Sequence, residues 1–250
     1  MIDVHCHILP GLDDGPKLLK ETIAMAKAAA DDGIDTIIAT PHHNNGRYIN
    51  ERLDILGATD FVNGQLQRME IPVDILPGQE VHMYDDMVND LERGLILPLN
   101  QSTKYILIDL PPNHIPPFAP RLLFDLQIAG YIPIIAHPEK NAVVAGNPDA
   151  MYNMVSNGAL VQIDAASITG RNGKKVRKLT RQMLSANMVH VIASNAHGAK
   201  GFHLTKAYNS LDTSTKDILL ENSEELINDR PIAKDEPLRI AKRGLRQFFK

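Results

Sequence analysis

A chain of 250 residues, 44% hydrophobic and 22% charged, has a globular balance and suits one large α/β domain. A net charge of −4 gives no nucleic-acid signal, one cysteine excludes an internal disulfide framework, and no apolar run reaches the ~18 residues of a membrane span. The opening Met-Ile-Asp-Val-His-Cys-His lacks the basic and apolar regions of a secretory signal, so a cytoplasmic location is expected.

Short β-branched apolar runs recur along the chain, at residues 2–5, 36–40, 73–76, 105–110, 132–137, 160–164 and 189–194. They are apolar at both odd and even positions, as parallel strands covered on both faces must be. Between them lie helical stripes, among them Leu19, Ile23, Ala26 and Ala30, and later Leu122, Leu126 and Ala129. Gly33, Gly130 and Gly158 each close a helical segment just before a strand, where a C-terminal cap belongs. Some seven βα units without a repeated half predict a barrel, with an open doubly wound sheet as the alternative. No composition shift divides the chain, so residues 1–235 are expected to form one domain. From Leu238 onward five basic residues, Arg239, Lys242, Arg243, Arg246 and Lys250, occur without an acid. Residues 236–250 therefore read as a basic tail, either solvated or facing an anionic membrane surface or acidic partner.

The polar residues gather where the strands end. His5 and His7 lie at the end of the first strand, and His42 and His43 follow the second. Glu80 follows the third, Asp109 ends the fourth, His137 ends the fifth, and Asn195 and His197 follow the seventh. In a parallel barrel all these ends share one rim. Such nitrogen and oxygen donors suit Zn, Mn or Fe, and divalent cations suit phosphate-ester hydrolysis. His-Cys-His adds that residues i and i+2 of a strand point to one side, which turns Cys6 away from His5 and His7. Cys6 is read as a small buried residue, since a cysteine phosphatase needs an Arg six positions on and Leu12 stands there. His82, His114, His190 and His203 lack this placement and are read as structural or surface residues.

The segments MIDVHCHILPGLDDGP (1–16), IIATPHHNNGRY (37–48), LPGQE (76–80), KYILIDLP (104–111), GYIPIIAHPEK (130–140) and HVIASNAHG (190–198) resemble the bacterial tyrosine-protein phosphatases of the PHP (polymerase and histidinol phosphatase) superfamily. The resemblance implies a distorted (β/α)7 TIM-like barrel, the PHP fold. It implies up to three divalent metals, Mn2+ foremost with Fe or Zn as alternatives. It also implies a role beside capsule or exopolysaccharide synthesis, with the phosphorylated tail of a tyrosine kinase as substrate, in the cytoplasm or peripheral to the inner face of the membrane. By position, His5, His7, Glu80 and Asn195 would surround a first metal. Glu80, Asp109 and His137 would hold a second, and Asp14, His42 and His197 a third. Asp14 otherwise reads as a helix N-cap. Lys140 and Arg47 would neutralise phosphate charge, with a solvated loop residue as the other reading of Arg47, and Tyr48 would stack on an aromatic substrate or pack its loop.

Four departures stand out. Asn195 replaces the usual Asp ligand, Asp109 the usual Glu, and Lys140 an Arg that could grip phosphate bidentately, and an Arg in the segment after the last His is absent, with Lys200 nearby. Asp164, ending the sixth strand, is a candidate to restore the charge missing at Asn195. Two further readings follow: a histidinol-phosphate-type small-molecule phosphatase, and a weakly active metal-binding regulatory partner.

Overall fold

The computed structural model describes residues 1–240. Lys242, Arg243, Arg246 and Lys250 of the basic tail lie outside the described residues. Nine parallel strands form among the described ones: β1 (Ile2–Cys6), β2 (Thr36–Ala39), β3 (His42–His43), β4 (Asp74–Pro77), β5 (Glu80–His82), β6 (Tyr105–Asp109), β7 (Ile132–Ala136), β8 (Leu160–Asp164) and β9 (Val191–Ala193). They pair as β1-β2-β4 and as β3-β5-β6-β7-β8-β9.

Nine strands make seven barrel positions. Thr40 and Pro41 carry β2 directly into β3, and Gly78 and Gln79 carry β4 into β5. The ladder breaks at Pro41 because proline has no N–H to donate. Gln79 fills the second break with side-chain bonds, to the Asn50 carbonyl (2.7 Å) and from the Leu97 N–H (2.6 Å). The ring closes between β9 and β1, where a single bridge joins Cys6 and Ala196. His7 N donates to Ala196 O and Asn195 N to His5 O, both at 2.9 Å. Asp3 seals the seam below, accepting from Ser194 N (2.8 Å) and Ser194 Oγ (2.5 Å). Burial pushes the Asp3 carboxyl up to about 7, against the pull of those bonds.

Strand alternation explains where the barrel's polarity lies. On one face of β6 stand Tyr105, Leu107 and Asp109; on β8, Leu160, Gln162 and Asp164; on β9 and beyond, Val191, Ala193 and Asn195. Each series is apolar at the strand start and polar at its end. The apolar members join Val4, Ile38 and Ile134 in one buried cluster, which Leu226 and Ile232 extend. A larger cluster packs helices against the strands, through Met25, Val62, Leu122 and Met183 among others.

The helices follow the expected pattern with local shifts. In Leu19–Asp31 the buried face is Thr22, Ile23, Met25, Ala26 and Ala29, turned slightly from the predicted stripe. Thr22 is drawn inward because its hydroxyl donates to Ile8 O (2.9 Å). In Ala119–Ile128 the buried residues are Ala119, Leu122, Leu123 and Leu126, and Ala129 becomes the C-cap. Gly33, Gly130 and Gly158 all adopt positive φ after their helices, as their spacing predicts. None of the described helices is long and apolar enough to cross a membrane.

His190 is structural, as read from the sequence. Its Nδ1 accepts from Val161 N (3.0 Å), and burial, aided by Lys234, pushes its pKa down to about 4. The folded protein thus favours the neutral ring, and the unfolded chain, with an ordinary His near 6.5, binds the extra proton. Stability from this group is complete above pH ~6.5 and is lost as pH falls toward 4. We expect the urea midpoint of the wild type to fall over that window more steeply than that of His190→Asn, which keeps an acceptor and cannot titrate. Parallel pH profiles would contradict this.

Candidate metal centre

Ladder register sets the first neighbours: His42 of β3 lies directly opposite Glu80 of β5. Glu80 is fully buried, and four imidazoles converge on its carboxylate. Its Oε2 lies 2.8 Å from His42 Nδ1, 3.2 Å from His7 Nε2 and 3.4 Å from His5 Nε2; its Oε1 lies 2.8 Å from His137 Nε2. Oε2 nevertheless has no partner with hydrogen-bond geometry. Three nitrogens near one oxygen without directed bonds is the arrangement of donors facing a common cation.

The ring tautomers sharpen this. His5 Nδ1 lies 2.9 Å from Gln162 Oε1, and Gln162 Nε2 donates to Asp164 Oδ1 (3.1 Å). That second bond orients the amide, so Oε1 accepts and His5 Nδ1 carries the proton. His7 Nδ1 lies 2.5 Å from Asp13 Oδ2, an acceptor-only group, so this nitrogen is protonated too. The free Nε2 lone pairs of the two rings then face each other at 3.2 Å. They need positive charge beside them. In the absence of a metal ion a proton supplies it: burial would keep His7 neutral, but its bond to Asp13 and the nearby charge of Glu80 outweigh burial and hold it at about 10. Asp13 falls to about 2 in spite of its own burial, through the same bond to His7. A divalent ion reached by both nitrogens and by Glu80 Oε2 would serve the same need, so the residues fit a metal.

Every sequence-predicted metal ligand except Asn195 falls into one of three donor groups, each with donor atoms within 4.8 Å of one another. These are His5, His7 and Glu80; Glu80, Asp109 and His137; and His7, Asp14, His42 and His197. Asp14 caps no helix, since the next one starts at Leu19. Its Oδ1 lies 3.3 Å from His197 Nε2 and 3.5 Å from His42 Nε2. His197 Nδ1 donates to Asn195 O (3.1 Å), which leaves Nε2 free for that group. Burial, reinforced by the charge on His7, pushes His197 down to about 4.

Asn195 and Lys140 meet through Asp164. Asn195 Nδ2 donates to Asp164 Oδ2 (3.3 Å), and Lys140 Nζ pairs with the same oxygen (2.8 Å). Asn195 Oδ1 is buried with no partner, an oxygen of ligand type at the position of the missing carboxylate. Asp164 is buried and held charged by Lys140, although burial alone would raise it. Both Asn195 (φ 51°) and His137 (φ 33°) take left-handed backbone, a strained state that Asn and His tolerate better than most residues.

At the mouth, Arg47 is exposed, with its guanidinium 4.9 Å from the Tyr48 ring centre. Tyr48 in turn lies parallel to His42, 6.3 Å away. A cleft of about 240 Å³ lined by Asp109, Pro112, His137 and Lys140 opens beside the cluster. Cys6 is buried, its thiol pushed far up by burial and donating weakly to Ala196 O (3.5 Å), and is no nucleophile. His43 turns away to the Asn50 carbonyl (2.8 Å).

The sequence reading missed four residues. Asp13, rather than its neighbour Asp14, orients His7; Gln162 orients His5; His82 Nδ1 lies 3.2 Å from Asp109 Oδ2. Glu139 is buried and accepts from Asp164 N (3.0 Å) and Ser167 Oγ (2.7 Å), and burial next to Asp164 pushes it up to about 7. Gln162 carried a signal, a lone polar residue inside an apolar run. Asp13 depends on Gly15, where any Cβ would strike the His7 carbonyl oxygen.

Known proteins now bear on this geometry. A family model described as Capsular polysaccharide synthesis, CpsB/CapC, matches residues 1–228. The chain belongs to the CpsB/CapC family. It is 43% identical to the tyrosine-protein phosphatase YwqE of Bacillus subtilis, over the whole length of both chains. It is 35% identical to the putative tyrosine-protein phosphatase CapC of Staphylococcus aureus, covering all of this chain and 97% of that one. A solved structure superposes with a TM-score of 0.94 at 42% identity, over 97% of this chain and all of the other. It comes from work on YwqE of B. subtilis and CpsB of Streptococcus pneumoniae, described as unique metal-dependent tyrosine phosphatases. The likeness supports the TIM-like barrel expected from the PHP-type motifs.

If Asp13 orients His7, Asp13→Asn weakens Mn2+ binding by about 10–100-fold, measured by calorimetry. Because His7 stays protonated up to about pH 10, binding to the wild type at pH 7 releases about one proton. Equal enthalpies in buffers of different ionisation heat would show no release and contradict the assignment.

Proposed function

We propose that this chain is a metal-dependent protein-tyrosine phosphatase. Its substrate is the phosphorylated tail of a cognate tyrosine kinase in the cytoplasm, and its action regulates capsule or exopolysaccharide synthesis. The observation that carries the proposal is the convergence of four imidazoles on the buried Glu80 carboxylate. The tyrosine-protein phosphatase activity of the relatives YwqE and CpsB favours phosphotyrosine among phosphate esters.

His5, His7, Glu80 and Asn195 Oδ1 would hold one Mn2+, Glu80, Asp109 and His137 a second, and Asp14, His42 and His197 a third. Divalent ions there would lower the pKa of water and neutralise phosphate oxygens. The protein's own part is positional. Gln162, Asp13 and the Asn195 carbonyl fix ring tautomers so that His5, His7 and His197 each present Nε2. Lys140, in the cleft beside His137, offers a point charge to phosphate while Asp164 holds it in place. Arg47 meets the phosphoester from the outer rim. A phenol leaves with pKa ~10, so little proton donation is needed as the ester breaks.

Phosphate release from a phosphotyrosyl peptide with Mn2+, abolished by a chelator and restored by the ion, is the expected result. Hydrolysis of histidinol phosphate alone would favour the small-molecule phosphatase, and binding without release the regulatory partner. Asn195→Asp separates charge from geometry. Without metal it sets a second carboxylate against Asp164 and lowers the melting temperature; with Mn2+ it binds the ion more tightly and turns over faster. Asp164→Ala should lower metal content, and unchanged content would end its compensating role.

A further inference from the structure

The helix Lys174–Ser185 reads KKVRKLTRQMLS and contains no acid. Lys174, Arg177, Lys178 and Arg181 stand at i, i+3, i+4 and i+7, so they share one face. Like charges at these spacings repel, and cations in the first turn oppose the helix dipole. Among the described residues none of the four has an ion-pair partner, and Arg177 Nε is buried without any hydrogen bond. The stripe weakens the helix that bears it, and its use must lie elsewhere.

That face is one wall of a groove of about 730 Å³. The other wall is the segment Leu238, Arg239 and Ile240. Leu238 N donates to Ala186 O (2.8 Å), and Arg239 pairs with Asp149 (3.2 Å) and covers the Tyr152 ring (4.2 Å). The start of the basic tail is thus held against the body and adds a fifth cation to the lining. Between β8 and β9 the short helix Ala165–Thr169 follows β8 directly, and Lys174–Ser185 then runs from the side of the rim where β8 ends back toward the start of β9. The helix also packs on the turn Pro138–Lys140, which carries Lys140 into the cleft beside His137. The groove therefore runs up the flank of the barrel to the catalytic rim.

We propose that this groove binds an acidic, extended segment of the phosphorylated protein substrate, so that docking on the flank delivers phosphotyrosine to the metal centre. The inference rests on the proposed phosphatase activity for its substrate and on charge and shape for its site. The cations without ion-pair partners run in one line along the helix wall of an open groove, which matches the line of charges on an extended acidic chain; a flat anionic membrane calls for cations spread over a face. The twelve-residue helix is about 18 Å long, the reach of about six extended residues.

The test uses the full chain and the triple variant Lys174→Glu, Lys178→Glu, Arg181→Glu. All three side chains are exposed, and an acid at Lys174, the first helical position, favours the helix, so the fold should hold, as melting curves would verify. One arm measures anisotropy of a labelled, unphosphorylated hexaglutamate peptide. The other measures hydrolysis of a phosphotyrosyl peptide linked through Gly-Ser to six glutamates or six glutamines. We expect the wild type to bind the acidic peptide, and to have a KM for the glutamate substrate lower by about tenfold, an advantage that salt and the triple variant both remove. Hydrolysis of p-nitrophenyl phosphate should be equal in both proteins. Equal KM for the two substrates, with no peptide binding, would overturn the proposal. So would binding of the wild type, but not the variant, to phosphatidylglycerol vesicles without peptide binding, which would assign the face to a membrane. Peptide binding with no phosphate release from any substrate would leave the groove standing and sink the phosphatase reading.

Discussion

The centre depends on two imidazoles forced into opposition. Gln162 and Asp13 each claim one Nδ1 proton, and His5 and His7 are left with lone pairs 3.2 Å apart, inside protein, with a carboxylate oxygen beside them. No arrangement of neutral rings relieves this. Positive charge has to enter, as a proton or as a cation, and the surrounding acids decide which pays the smaller electrostatic penalty. The demand that suits the cluster to a cation is thus set by residues outside the donor groups, one of which, Gln162, lies on another strand of the barrel.

Charge around the cluster is arranged in layers. Outside the nitrogen and oxygen donors come Asp13 and Asp164, both buried and both held ionised by a neighbouring cation, His7 for one and Lys140 for the other. Glu139 lies beyond Asp164 and shares its surroundings, so burial and that neighbour keep its proton on at higher pH. Asn195 sits between the layers, with its amide nitrogen tied to Asp164 and its oxygen free. An Asp at that position would compete with Asp164 for Lys140, whereas Asn donates to the carboxylate and accepts nothing from it. The amide is thereby a coherent part of this network.

Much of the architecture was legible from residue order. Buried parallel strands betray themselves by apolar residues at both odd and even positions, and their ends coincide with His5, Glu80, Asp109, His137 and Asn195. The seven-fold count held, but β3 and β5 were hidden. Each is two or three residues long and polar, and the break before β3 comes from a missing N–H at Pro41, which hydrophobic periodicity does not register. The convergence of donor side chains was legible, and the residues that orient them were not. Asp13 and Asp14 are adjacent and alike, and only the close approach of Gly15 to His7 decides which one turns inward. Lys140 looked like a free phosphate ligand because its partner Asp164 is twenty-four residues away and meets it only through the packing of β7 against β8. His82, set aside for its position, reaches Asp109 because β5 and β6 place the two directly opposite.

The seam between β9 and β1 has a mechanical consequence. The ladder there is one bridge long, supported by Asp3 and Ser194, while the donors above it come from both sides: His5 and His7 from the first strand, Asn195 and His197 from beyond the last. An ion gripped by that set would act as a rivet across the weakest join in the circumference, tying the opening residues of the chain to a segment some 190 positions later. Metal loading would then reinforce a join that backbone bonds and Asp3 already close.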